Sequence, residues 1–314
     1  LRQKKSEEPV FSDSGEEKMS SIKKKKTSKE EKIYHMIAYP IFGLITFICA
    51  YPFYYLLLCT ISNNKLVDLG QIVLLPKGIH FDNYIKIFKT NNLWNAVMIS
   101  FLRVVVGTGI QIMVSSYMAY FFTKQDMWKR KFWYRFVVAT MYFSAGMIPI
   151  YLNWRMLWLV NTFWIYVIPS MLSAYNMILV KTSMEALPPD LEESAYLDGA
   201  GYFTRLYRIV LPLQKPILAT VGMFAAVYHW NDFFTTKLYV TKSKLYTLQF
   251  LLYELLNQIR SLTEQATGDL DYGAITPMAA RMTMTAVVVF PVMLVYPFIQ
   301  KYYVKGVMIG AIKG

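Results

Sequence analysis

The segment from Met184 to Pro212 gathers the residues whose types and spacing point to chemistry. Pro188 and Pro189 precede Asp190, which is placed to cap a helix. Glu192 and Glu193 follow in the first turn, where carboxylates favour the positive end of the helix dipole. Gly199 and Gly201 allow a tight turn, and Arg205, Tyr207, Ile209 and Leu211 predict a second helical stretch ahead of Pro212. The expected product is a compact helix–turn–helix knob at the membrane face. A solvated helix start is the plain alternative, and the spacing to Gly199 and Pro212 argues against it.

A second set of polar residues lies inside long apolar runs. Arg103, Gln111, Asn161, Asn176, His229 and Asp232 are costly at membrane depth unless they face protein or water, which makes them candidates for a translocation pathway. Interhelical hydrogen bonds that only hold a bundle together are the rival reading, and Arg103 could snorkel outward. Sugars are held by aromatic faces together with planar polar groups, so Tyr151, Asn153, Trp154, Trp158 and Trp164 suggest carbohydrate contact, against which stands an interfacial aromatic belt. Trp230, Asn231 and Asp232, at the outer end of an apolar run, are the stronger pathway candidates.

Other chemistries find no support in the sequence. His35, His80 and His229 have no metal-ligand spacing, and Cys49 and Cys59 lie in one apolar run as packing residues. No glycine is followed by lysine, so the chain lacks a Gly-x-x-x-x-Gly-Lys phosphate loop and binds no nucleotide cofactor of its own.

These residues must be positioned by membrane helices. Apolar residues make up 55% of the 314 and charged residues only 17%, which excludes an ordinary soluble domain. Six stretches are apolar over the ~20 residues a helix needs to cross a bilayer. They fall at 34–60, 96–122, 132–152, 156–180, 216–236 and 282–304, giving an all-α polytopic fold. Ten of the 33 basic residues fall in residues 1–32, which read as a Lys-rich cytoplasmic tail and not a signal peptide; a nucleic-acid surface is the weaker account of the +13 charge. Residues 33–314 then form one six-helix membrane domain with both termini in the cytoplasm, and residues 184–212 form a cytoplasmic loop. Lys124, Lys129, Arg130 and Lys131 put the connection 123–131 on the same side. The run Leu248–Ile259, in the outer segment 237–281, is too short to span.

Glu193, Ala195, Gly199, Ile209, Leu211 and Pro212 also stand at the spacing of a family signature, with Ser194 replacing one alanine. The sequence here resembles the integral-membrane subunits of bacterial ABC importers of the maltose type. Pro76, the Phe81–Tyr84 and Trp94–Ala96 motifs, Trp230–Phe233 and the terminal Lys305–Gly314 are similar to its carbohydrate subgroup, and the stretch around 157–201 to importers of alginate and rhamnogalacturonan fragments.

The resemblance implies a type I importer permease in a bacterial cytoplasmic membrane. It implies that Glu192, Glu193, Ser194, Ala195, Asp198, Gly199 and Pro212 couple the chain to a cytoplasmic ATPase, present in two copies, which binds the ATP and Mg. It further implies a homologous second permease, an extracytoplasmic solute-binding protein and a carbohydrate, with Asn231, Asp232, Trp230, Asn161, Asn153 and Gln111 along the pathway. The alternative is an ion-coupled secondary transporter, which would need coupling carboxylates within the spans.

Overall fold

The computed structural model describes residues 29–89, 92–265 and 276–311. In chain order its helices are α1 (Lys29–Ile61), α2 (Asn64–Asp68), α3 (Asp82–Phe88), α4 (Leu93–Thr123), α5 (Arg130–Ala139), α6 (Met147–Met156), α7 (Ala174–Glu185), α8 (Asp190–Leu197), α9 (Tyr202–Arg205), α10 (Leu211–Leu213), α11 (Lys215–Asn231), α12 (Phe234–Tyr239), α13 (Leu248–Gln265) and α14 (Pro277–Ala311). A π-helical stretch, Leu206–Val210, joins α9 to α10. No strand occurs among the described residues. The Lys-rich tail before residue 29 and the side chains of the terminal Lys305–Gly314 motif lie outside the described residues.

Among the described residues, three helices are long and apolar enough to cross a membrane: Lys29–Ile61, Leu93–Thr123 and Pro277–Pro297. Two bent pairs raise the number to five if each is one span: Phe163–Ser170 with Ala174–Glu185, and Tyr202–Leu213 with Lys215–Asn231. The expected third span, 132–152, is two ten-residue helices, α5 and α6, separated at Thr140–Gly146. Gly146 has φ +83°, a conformation no helix continues through, and Pro149 sits in the first turn of α6, where its missing N–H costs nothing. The expected fourth span, 156–180, is likewise interrupted. Trp158 and Asn161 have positive φ, and two 3₁₀ turns carry the chain through Pro169 before α7 begins with Ser173 Oγ accepting from the Asn176 amide.

The chain divides into two units, residues Leu1–Tyr54 and Tyr55–Gly314. In the first, α1 presents apolar side chains all round and buries none of residues 29–54. In the second, α4 is the central helix and packs against α11 and α7, while α14 packs against α11 and α13. Within a bilayer, helices gain little from apolar burial and associate through close approach of small residues. The buried face of α4 follows that rule in part, with Ala96, Ser100, Gly107, Ser115 and Ala119 spaced one or two turns apart and Arg103 and Gln111 between them. Two glycine notches interlock the pair: the His229 ring of α11 lies over Gly107, and Ile112 of α4 lies over Gly222. A Cβ at Gly107 would stand 2.6 Å from His229 Cε1.

Candidate functional site

The segment 190–213 forms the expected helix–turn–helix knob. The helix begins one residue earlier than a cap at Asp190 would require: Pro189 occupies the cap position, Asp190 is the first helical residue, and no side chain caps the end. Glu192 and Glu193 lie in that first turn and suit the dipole there.

The other end of α8 explains the signature's spacing. The Ala200 amide donates to the Ala195 carbonyl at 2.9 Å, and the Gly199 amide to the Tyr196 carbonyl at 3.0 Å. This paired closure of a helix C-terminus requires a left-handed residue at Gly199, whose φ is +81°. Gly201, by contrast, is extended, with φ −68° and ψ 169°. Around the turn, Glu193, Ser194 and Asp198 are exposed, as are Leu191, Tyr196, Tyr202 and Phe203, and Leu197 is 84% exposed. The knob therefore presents carboxylates beside an apolar tip that α8 does not bury, a surface suited to a protein partner.

Behind the tip, the Arg205 guanidinium lies over the rings of Tyr202 and Tyr196, 4.6 Å and 5.2 Å from their centroids. Glu192 does not face outward with Glu193. It pairs with Lys124, at the end of α4. Pro212 is exposed in the short α10, and the Gln214 side chain donates to the Ser183 carbonyl at 3.1 Å, fastening the α10–α11 bend to α7.

The pathway candidates divide. Arg103 does not snorkel; it is 1% exposed, pairs with Asp232, and lies over the Tyr166 ring at 4.7 Å. Asp232 in turn accepts from the amides of Phe234 and Thr235 at 2.9 Å and 3.1 Å, which starts α12. Both lone-pair sets of its carboxylate are therefore engaged within the chain. Asn161 Oδ1 accepts from the Thr241 amide and hydroxyl and from the Lys242 amide, so it anchors the turn between α12 and α13. The Trp230 indole donates to the Val288 carbonyl at 3.1 Å. Gln111 and Asn176 are buried within the chain, while Asn153 and Asn231 are exposed. A cavity of about 470 Å³ is lined by Leu57, Tyr84, Phe88, Trp94, Trp230 and Phe290 among others. Its Tyr84 hydroxyl donates to Thr60 Oγ1 at 2.9 Å, so with Trp230 also committed its lining is almost wholly apolar.

The motifs Phe81–Tyr84 and Trp94–Ala96 serve as fasteners. Asn83 is buried and donates to the Thr60 carbonyl at 3.1 Å and to Asn64 Oδ1 at 2.8 Å, and Asn95 donates to the Lys244 carbonyl. Sequence reasoning passed over Lys124 and Tyr166. Lys124 was legible only as topology-setting charge, and Tyr166, whose hydroxyl donates to the Leu245 carbonyl at 2.7 Å, had no polar neighbour in the chain to mark it.

A bundle of interrupted membrane helices bearing one protruding, partner-ready knob defines an integral-membrane transport component. The chain belongs to the family of binding-protein-dependent transport system inner membrane components, whose model matches residues 111–309. It is 33% identical over 289 residues to the polygalacturonan/rhamnogalacturonan transport system permease protein YtcP of Bacillus subtilis (strain 168), covering 91% of this chain and all of that one. Protein LplC of the same organism is 32% identical over 297 residues, covering 94% of this chain and all of the relative. Among solved structures, the fold matches a chain of a bacterial ABC transporter involved in the import of the acidic polysaccharide alginate, with a TM-score of 0.79, 25% identity and coverage of 88% of this chain and 99% of that one. The fold is that of a type I ABC importer permease.

Proposed function

We propose that this chain is one of two homologous permease subunits in an ATP-driven importer of an oligosaccharide. Two copies of a separate ATPase bind the ATP and Mg, and an extracytoplasmic binding protein delivers the solute. The observation that carries this reading is the knob: the segment that holds the six signature positions, Glu193 to Pro212, presents an exposed carboxylate-and-apolar tip, shaped by the Ala195–Ala200 hydrogen bond across Gly199. The printed roles of the relatives support carbohydrate as the solute class, and the alginate complex with a pentasaccharide-bound periplasmic protein, which shares the fold, supports delivery by a binding protein. Six spans with both termini in the cytoplasm remain our topology, with α5 and α6 together crossing once. The knob then lies on the cytoplasmic face and the Asn161–Lys242 turn on the outer one.

Co-purification from the native host in mild detergent, followed by mass spectrometry and ATPase assay, tests the assembly. A second permease and a phosphate-loop ATPase are expected, with uptake of galacturonan, alginate or arabinan oligomers by the reconstituted complex. A lone chain that moves solute without ATP would overturn the reading in favour of ion coupling.

A further inference from the structure

Lys124 follows α4 directly, and its ammonium pairs with Glu192, 68 residues later, in the first turn of α8. The contact is shielded, the two side chains being 17% and 26% exposed, and the ammonium also lies 4.0 Å from the centroid of the Tyr120 ring. Desolvation pushes the Lys124 ammonium below its ordinary range, and the Glu192 carboxylate works against that shift. The end of α4 is itself held, since Arg130 donates to the carbonyls of Phe122 and Thr123 at 3.4 Å and 3.2 Å. Two turns before Lys124 the Tyr117 ring meets Phe203 and Tyr207 of the knob.

α8, however, buries none of its own residues. Apolar packing therefore does not bind it to the bundle. The chain connects α8 to α7 on one side and, through α9 and the π stretch, to α11 on the other. The ion pair ties it to the central helix α4, and the knob meets α4 again where the Tyr117 and Tyr207 hydroxyls pair.

We infer that Lys124 is a positioning residue for transmission: through Glu192 it holds α8 against the end of α4, so that a displacement imposed on the knob reaches α4 directly as well as α11 through the chain. The inference rests on the importer reading above. It assigns to Lys124 a role that neither its topology-setting charge nor the family signature, which begins at Glu193, contains. Because α4 packs on both α7 and α11, a pull on its end is shared among the helices of the second unit.

The test uses the complete permease–ATPase complex. Nitroxide labels are placed at the exposed positions Phe121 and Asp190, the latter in α8 but away from the apolar tip, after replacing Cys49 and Cys59, and the inter-label distance is measured by pulsed electron resonance without nucleotide and after trapping with ATP and vanadate. The parent complex is expected to keep one narrow distance in both states, α8 and α4 moving as a body. Lys124→Met, which retains the stem on Tyr120 but removes the charge, should broaden the distribution and shift it on trapping. The swap Lys124→Glu with Glu192→Lys should narrow it again, which Lys124→Glu alone should not. A Lys124→Met distribution identical to the parent's, or a swap no better than Lys124→Glu, would overturn the inference. A parent complex that neither binds nor hydrolyses ATP would overturn the importer reading instead.

Discussion

Arg103 donates from Nη1 to the backbone carbonyl of Asp232 at 2.8 Å and from Nη2 to its carboxylate, so one guanidinium closes the C-terminus of α11 and neutralises the residue that starts α12. The pair joins the two most closely packed helices of the bundle and is largely removed from solvent. Losing one partner leaves the other charge buried alone, which costs on the order of 3–5 kcal/mol. Arg103→Met and Asp232→Asn should each lower the unfolding midpoint in detergent. The double variant should cost less than the sum of the two, and strict additivity would show that they do not interact.

The fit of His229 over Gly107 makes a second pair. Gly107→Val should destabilise by about 1–3 kcal/mol, because the ring it would strike is itself 1% exposed and has nowhere to turn. His229→Ala in that background should recover part of the loss. Thermal melting of the four proteins of this cycle measures the recovery, and an unrelieved or additive effect would sink the account.

Gly199 adopts a left-handed conformation that costs a non-glycine residue roughly 1–2 kcal/mol. Gly199→Val should leave membrane insertion and the melting of the bundle nearly unchanged, since α8 buries none of its own residues and the space beside Gly199 is open, yet uncouple ATP hydrolysis from solute uptake. Gly199→Asn, which tolerates that backbone, should retain coupling better than Gly199→Val. Equal uptake by Val and parent proteins would contradict the role of the turn.

Asn161 supplies one carbonyl oxygen to three donors across the outer turn. Asn161→Asp preserves that acceptor and should behave as the parent. Asn161→Ala should free the Thr241 and Lys242 amides, raising their hydrogen exchange while leaving that of α4 unaltered. Slow exchange at both amides in the Ala variant would place the anchor elsewhere.

The knob was legible because its determinants are local: Pro188–Pro189, the early carboxylates and Gly199 all bear on the one short helix Asp190–Leu197. α4 was legible because 31 residues of apolar helix announce themselves by length alone. The break at 140–146 was not, since its residues include neither a charge nor a proline to mark a boundary between two apolar stretches. The chemistry of Arg103, Asp232 and Lys124 was hidden for a different reason. Each partner lies far along the chain, 129 residues away in the first pair and 68 in the second, and nothing in the intervening sequence registers the approach. Two of the candidates for solute contact, Asp232 and Asn161, spend acceptors on backbone amides of their own chain.

The π-helical stretch Leu206–Val210 makes the path from knob to α11 one residue longer than a plain α-helix needs. That surplus works as a phase adjuster. Each residue of an α-helix turns it by about 100°, so removing one residue here would let the ladder close in the ordinary way while swinging α8 and its tip to a different bearing beneath α4. The direction in which the knob faces is thus set by a counting irregularity in the backbone, independent of the composition of the surface it presents.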